Sequence, residues 1–372
     1  MADIFDTYDL SGLLLKNRVV MAPMTRARAP GYLPNAEMVR YYGQRAGAGL
    51  IVTEGTPISR EGNGFVDCPG IWSDEQVAGW SEVTHRVHDL GGSIFTQIWH
   101  VGRMSHVSLQ VGEEPPVSST AQQAAHSSAF GYDQDGQAGF VKASKPRALA
   151  TAEIDRVIGD FAQAAVNADS AGFDGVEIHG ANGYLVEQFI NGAVNDRTDR
   201  YGGDTVENRT RFALEVVDAC IERIGASRVG IRLSPFGRLH DLEAFDGEEE
   251  TFLHLARELG KRGIAYIHLM EQASRGAPAM PDGFLARFRQ AYPGTLILAG
   301  GLSKEKANAL IEEGVIDLAA FGAPYVANPD LVERFRKDWP TEEPDKDRFY
   351  GGDARGYTDY RPYTGQRVAE SA

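Results

Sequence analysis

Eight short apolar, β-branched runs alternate with eight stretches of helical periodicity along this chain, and few folds accept that order. The runs cover 19–23, 50–54, 93–99, 175–179, 229–234, 265–270, 295–299 and 318–321, and turn residues or polar side chains follow them. Helices are predicted over 35–45, 73–90, from Thr151 onward, and over 205–223, 248–262, 281–291, 303–313 and 328–337. Ser73-Asp74-Glu75-Gln76 reads as a capping box, and Gly91-Gly92 as the stop of the same helix. Ile154, Val157, Ile158, Phe161, Ala162 and Ala165 form one apolar stripe at helical spacing. Strict alternation of this kind predicts an α/β protein built as a (β/α)8 TIM barrel. An open doubly wound sheet is the alternative; no G-x-G-x-x-G or phosphate-loop motif follows any strand to favour it.

The 372 residues exceed what a bare barrel needs, yet such barrels grow by insertion, so 1–372 is read as a single barrel domain. The surplus is local. Residues 1–18 are predicted to form a hairpin closing the barrel floor, and 339–372 a Tyr- and Gly-rich tail. A structureless loop from 101 to 150 would count against the assignment. Within it, Phe130-Gly131-Tyr132 and Gly139-Phe140-Val141 suggest a hairpin, read as a lid over the barrel mouth after strand three. A formal charge of −15 argues against a nucleic-acid partner, which needs a basic face. Two cysteines, Cys68 and Cys220, are too few for a disulfide framework or a four-cysteine metal or iron–sulfur site. No metal, no membrane span and no targeting signal are expected, and a reduced, cytoplasmic setting fits.

Polar residues then stand out on strands that should be apolar. Side chains alternate along a strand, so in the third run Ile94 and Ile98 face the helices while Gln97 and Trp99 point into the barrel. The same alternation sends Ile231 and Leu233 outward and Arg232 inward. A buried guanidinium needs an acceptor. An internal ion pair with inward-facing Glu177 is one reading; a ligand with a carbonyl-rich or anionic edge, such as a flavin pyrimidine ring also met by Gln97, is the other. The fourth run ends in His179, with Asn182 and Tyr184 close behind, where barrel enzymes carry their chemistry. Gly300, Gly301 and Gly322 follow strands seven and eight, the usual phosphate site of such barrels. His85, His88 and His254 sit on helix patterns and are read as surface residues.

From Asn17 to Tyr360 the chain resembles the Old Yellow Enzyme family of FMN-dependent ene-reductases. The resemblance rests on five segments in order: Asn17-Arg18-Val19-Val20-Met21-Ala22-Pro23-Met24-Thr25-Arg26; Gln97-Ile98-Trp99-His100-Val101-Gly102-Arg103; His179-Gly180-Ala181-Asn182-Gly183-Tyr184; Asp196-Arg197-Thr198-Asp199-Arg200-Tyr201-Gly202-Gly203; and Asn328-Pro329-Asp330-Leu331. Thr25 is similar to the classical branch. The resemblance implies non-covalent FMN, with Thr25 on flavin O4, the backbone of Pro23, Met24 and Thr25 and Gly55 lining the ring, Gln97 on the pyrimidine edge and Arg232 near N1 and O2. Gly300, Gly301, Gly322 and Ala323 fall at the phosphate end. It also implies that His179 and Asn182 donate to the substrate oxygen, that Tyr184 supplies the proton, and that Trp99, Phe65 and Tyr350 wall the substrate.

Two departures from the family pattern stand out. Ala323 occupies a position that usually holds a phosphate-pairing Arg, and Phe65 one that is often Tyr. The implied activity is reduction of activated C=C bonds in α,β-unsaturated carbonyl or nitro compounds by NADPH or NADH, in a monomer or homodimer. An FMN-binding barrel with lost turnover, acting as sensor or scaffold, is the rival of another class. The iron–sulfur dienoyl-CoA reductases, which need a cysteine cluster, are excluded by the two cysteines.

Overall fold

The computed structural model describes residues 2–365, so 366–372 of the expected tail lie outside the described residues. Eight parallel strands close into a barrel: β3 (Val19–Met21), β4 (Leu50–Pro57), β5 (Ile94–Trp99), β10 (Gly175–Gly180), β11 (Val229–Leu233), β12 (Tyr266–Met270), β13 (Leu296–Ala299) and β14 (Leu318–Phe321), with β14 pairing back onto β3. The open-sheet alternative is thereby excluded. Around it run α1 (Ala36–Gln44), α2 (Asp74–Asp89), α3 (Thr151–Ser170), α5 (Val206–Ile224), α6 (Glu248–Arg262), α7 (Phe284–Ala291), α8 (Lys304–Glu312) and α10 (Leu331–Arg336). The capping box forms as expected, with Ser73 accepting from the Gln76 N–H and Gln76 reaching back to Ser73. Two short helices, α4 (Leu185–Ile190) and α9 (Ala323–Ala327), were not foreseen. At six and five residues they are too brief to show a helical stripe.

The hairpin β1 (Tyr8–Leu10) and β2 (Leu13–Leu15) plugs the barrel floor. Leu10 and Leu15 pack there with Val20, Leu50, Val52, Phe95 and Tyr266, the inward side chains of the lower strands. Outward Ile51, Ile94, Ile98, Val176, Ile178 and Ile231 join the helices in the larger core. Each such side chain, fully buried, contributes roughly 1.5–3 kcal/mol. The interior is therefore apolar below and polar above, and the polar layer faces the loops at the C-terminal ends of the strands.

The lid hairpin is also present, as β7 (Ser128–Tyr132) and β8 (Ala138–Lys142), anchored by the short parallel pair β6 (Val117–Ser118) and β9 (Arg147–Ala148). β4 runs beyond its predicted end at Glu54. A register shift between Val52 and Gly55 carries the strand on to Pro57. No helix among the described residues is long and apolar enough to cross a membrane.

Candidate active site

A cavity of about 430 Å³ opens at the C-terminal ends of the strands, a size ordinary for a small-molecule or cofactor site. The loop after β3 brings Pro23, Met24 and Thr25 to one wall. Buried Glu54 holds that loop, its carboxylate accepting the backbone N–H groups of Arg26 at 3.0 Å and Ala27 at 3.2 Å. Gly300 and Gly301 after β13, with Gly322 and Ala323 after β14, line the opposite end. A Cβ on Gly300, whose φ is +114°, would lie 2.1 Å from the Glu271 carbonyl oxygen, so only glycine allows this close turn.

Gln97 and Arg232 both face the cavity, as the alternation predicted. Of the two readings of Arg232, the internal ion pair with Glu177 does not form. His268, the register partner of Arg232 on β12, also faces inward and takes the carboxylate: its Nδ1 lies 2.8 Å from one Glu177 oxygen, while Gln97 Nε2 donates to the other at 2.7 Å. Burial works against the Glu177 charge, but His268, Arg232 and Gln97 together hold its carboxyl below the usual range. Arg232 is left with one protein contact, Nη2 to the Met270 sulfur at 3.3 Å, and its Nε has no partner among the described residues. Burial, joined by the charge of Arg275, lowers its pKa to about 10, so it remains cationic at neutral pH. An unpaired buried guanidinium beside an amide, at the floor of a cavity with a glycine-lined end, fits the electron-rich edge of a flavin.

His179 leaves β10 beside Arg232 on β11. Its Nδ1 accepts the Ala181 N–H at 3.3 Å, which places the proton of the neutral ring on Nε2 and makes that nitrogen a donor. Burial, reinforced by the Arg232 charge, pushes its pKa well below the ordinary imidazole value, so the ring is neutral at working pH. Asn182 adopts a left-handed conformation with φ +59°. Its N–H donates to Ser234 Oγ at 2.8 Å, and its carbonyl oxygen lies 2.6 Å from His240 Nδ1. Ser234 donates in turn to Glu187 at 2.7 Å, and the same carboxyl accepts the Gly183 N–H at 2.6 Å. Burial raises the Glu187 pKa to about 8. Tyr184 ends this strapped turn, its ring edge-on to Trp99 at 4.8 Å and to His179 at 4.9 Å.

Trp99, Phe65 and Tyr350 also line the cavity. Phe65 packs 5.5 Å from Trp99 and 5.8 Å from Tyr350, and Phe130 of the lid stacks on it. Tyr350 arrives from the tail because Arg26 and Arg28 tie that segment down through the carbonyls of Arg348 and Phe349. Gly55 is the one expected cofactor residue that does not line the cavity. It lies against the indole of Trp99, where a Cβ would come within 2.1 Å, so its bareness serves Trp99 packing. His85 and His254 carry no role in the site, and His88 pairs with Asp174 at the surface.

Sequence reading missed several residues of this region. Glu54 was visible as an acid closing an apolar run, and Glu187 as an acid in a motif otherwise assigned. Met270 and Arg275 line the cavity without any local signal. Among the described residues no group of three or more His, Cys, Asp or Glu is placed to hold a metal.

A closed barrel whose mouth combines an unpaired cation, an amide, glycine turns and two outward N–H donors defines a flavin-dependent oxidoreductase. Residues 3–342 match the model of the NADH:flavin oxidoreductase / NADH oxidase family. Similar curated proteins include a putative 12-oxophytodienoate reductase 11 of Oryza sativa subsp. japonica, 44% identical over 365 residues and covering 96% of this chain and 97% of that one. A 12-oxophytodienoate reductase 2 of Arabidopsis thaliana is 42% identical over 359 residues, 95% of this chain and 94% of that one. Among solved structures, morphinone reductase superposes with a TM-score of 0.95 at 45% identity, covering 99% of this chain and 98% of that one. An old yellow enzyme homologue from Zymomonas mobilis gives 0.92 at 38% identity, covering 97% of this chain and 100% of that one. The chain belongs to the NADH:flavin oxidoreductase / NADH oxidase family, in its Old Yellow Enzyme group. It is an FMN enzyme served by a reduced nicotinamide nucleotide.

Proposed function

We propose that the protein reduces the activated C=C bond of α,β-unsaturated carbonyl and nitro compounds with NADPH or NADH. The observation that carries this reading is that two N–H donors, His179 Nε2 and the Asn182 amide, line one cavity with Tyr184 and the unpaired Arg232. The chemistry that bound FMN supplies is the carriage of a hydride from nicotinamide to the alkene β-carbon. Gln97 and Arg232 would hold its pyrimidine edge, where the guanidinium would balance negative charge. Pro23, Met24 and Thr25 would flank the ring, and Gly300, Gly301, Gly322 and Ala323 would take the phosphate end. His179 and Asn182 donate to the substrate oxygen as enolate or nitronate charge develops. Tyr184 gives its proton to the α-carbon, so one hydride and one proton saturate the double bond. Trp99, Phe65 and Tyr350 exclude water and wall the substrate. Residues 1–372 are taken as one unit, working in the cytoplasm as monomer or homodimer.

The test is direct. Heat should release FMN from the purified protein, anaerobic NADPH or NADH should bleach the bound flavin, and cyclohexenone should restore its colour. A protein that cannot be loaded with FMN ends the reading. A flavin that is bleached and then left reduced by enones points instead to the sensor or scaffold.

Ala323 provides a second test. Arg275 lines the same cavity, is exposed, and makes no side-chain hydrogen bond or ion pair among the described residues, whereas Arg26 is spent on backbone carbonyls. One free cation at the mouth leaves room for another on the phosphate. Ala323→Arg is expected to lower the FMN dissociation constant about tenfold to a hundredfold, since a charge-assisted contact contributes roughly 1.5–3 kcal/mol. Equilibrium titration of apoprotein checks it; equal or weaker affinity would mean that Arg275 and the backbone already saturate the phosphate.

A further inference from the structure

Asn182 serves the proposed reaction only if its amide turns the nitrogen, not the oxygen, toward the ligand. Nothing in its backbone decides this. The Ser234 and His240 contacts fix the main chain of Asn182 and leave both faces of its side-chain amide equivalent. The decision is made one residue further away, by Gln272, which follows the end of β12 and is buried.

Gln272 Oε1 accepts two backbone N–H groups, from Arg238 at 2.9 Å and Leu239 at 3.2 Å. Backbone N–H groups only donate, so the atom facing them must be the oxygen. The loop that carries them approaches closely, for a Cβ on Gly237 would lie 2.8 Å from Gln272 Nε2. With its oxygen so fixed, Gln272 can only present its NH2 group on the other side. There Nε2 donates to Asn182 Oδ1 at 3.0 Å. Asn182 must then turn its own NH2 away from Gln272, and no protein group among the described residues accepts from it. Asn182 lines the cavity, and that nitrogen is left for a ligand oxygen.

We infer that Gln272 is a positioning residue that sets the donor polarity of Asn182, through a chain of hydrogen bonds from the 238–239 backbone to the substrate oxygen. The inference rests on the reading of Asn182 as a donor. It makes Gln272 a determinant of which ligands fit: carbonyl, nitro, phenolate and hydroxyl oxygens, which can accept, are taken, and a group that can only donate at that point, such as an N–H, is not.

The experiment uses the FMN-loaded protein and 4-chlorophenol, whose phenolate oxygen mimics the developing enolate, with affinity read from the absorption of the oxidised flavin. Asn182→Ala should weaken binding about tenfold to a hundredfold. Gln272→Glu should weaken it at least as much, because a carboxylate cannot donate and draws the Asn182 nitrogen toward itself, leaving an oxygen facing the ligand. In the Asn182→Ala background Gln272→Glu should add nothing beyond about twofold, the signature of two residues acting as one unit. If Asn182→Ala leaves affinity unchanged, the donor reading itself fails. If Asn182→Ala weakens binding and Gln272→Glu does not, the donor stands and the inference about Gln272 is overturned. A Gln272→Glu loss that persists without Asn182 would be plain charge repulsion and overturns it equally. Should the Glu variant fail to fold, Gln272→Leu, uncharged and of similar size, runs the same cycle: a severalfold loss that vanishes in Asn182→Ala supports the inference, and an additive loss overturns it.

Discussion

Tyr184→Phe is expected to leave flavin reduction by NADPH or NADH nearly unchanged and to slow flavin reoxidation by an enone by about two to four orders of magnitude, the usual weight of a positioned general acid. Only the second half of the cycle needs a proton. The substitution spares the packing, because the ring meets Trp99, His179 and His240 through its edges and face. Burial, with a smaller push from Tyr350, raises the hydroxyl pKa well above its ordinary value, so Tyr184 stays protonated across the neutral and mildly alkaline range. The wild-type reoxidation rate should accordingly show no fall with rising pH up to about 9 that could be traced to this group. Stopped-flow mixing separates the halves. An equal loss in both would make Tyr184 a structural support for the turn it terminates.

The barrel was legible because parallel strands are buried on both faces and end abruptly, so eight apolar runs mark themselves. The inward layer was legible too: a Gln at position 97 and an Arg at position 232 break the apolar rule on the inward face. What the alternation left open was the partner of Arg232, Glu177 or a ligand. Glu177 and Arg232 are inward neighbours in sequence logic, yet His268, on a third strand, takes the carboxylate and frees the guanidinium. That arrangement leaves the guanidinium facing the cavity without a carboxylate partner. The register shift in β4 beside Gly55, which packs against Trp99, is likewise invisible to strand alternation. Gln272 reaches Asn182 across 90 residues, a separation at which no local pattern can speak. The aromatic wall was half legible: Tyr350 was named, but the buried Arg26 and Arg28 that tether its segment act through backbone carbonyls, which leave no trace in side-chain patterns.

The double variant His179→Ala/Asn182→Ala is expected to carry the other large effect, a loss of enone reduction of roughly two to three orders of magnitude for the first donor removed and more for the pair, with the two losses not simply additive. Both side chains act only where negative charge grows on the substrate oxygen, so the penalty falls on turnover more than on folding or cofactor binding. FMN content should be unchanged, because Gln97 and Arg232 remain. Binding of a phenolate to the oxidised enzyme should weaken about tenfold to a hundredfold per donor lost, as expected for hydrogen bonds to a charged oxygen. The sign of the pH dependence identifies the form of His179 at work. Its pKa is depressed by burial and by Arg232, so the neutral ring, with its proton on Nε2, is present throughout pH 6 to 9. Affinity for a ligand that does not itself ionise should therefore be flat across that range. An imidazolium donor would instead give an affinity that falls as pH rises through about 6.5. Phenolate affinity unchanged in the double variant would remove both residues from the oxyanion site and leave Tyr184 as the only polar side chain of the turn with a chemical role.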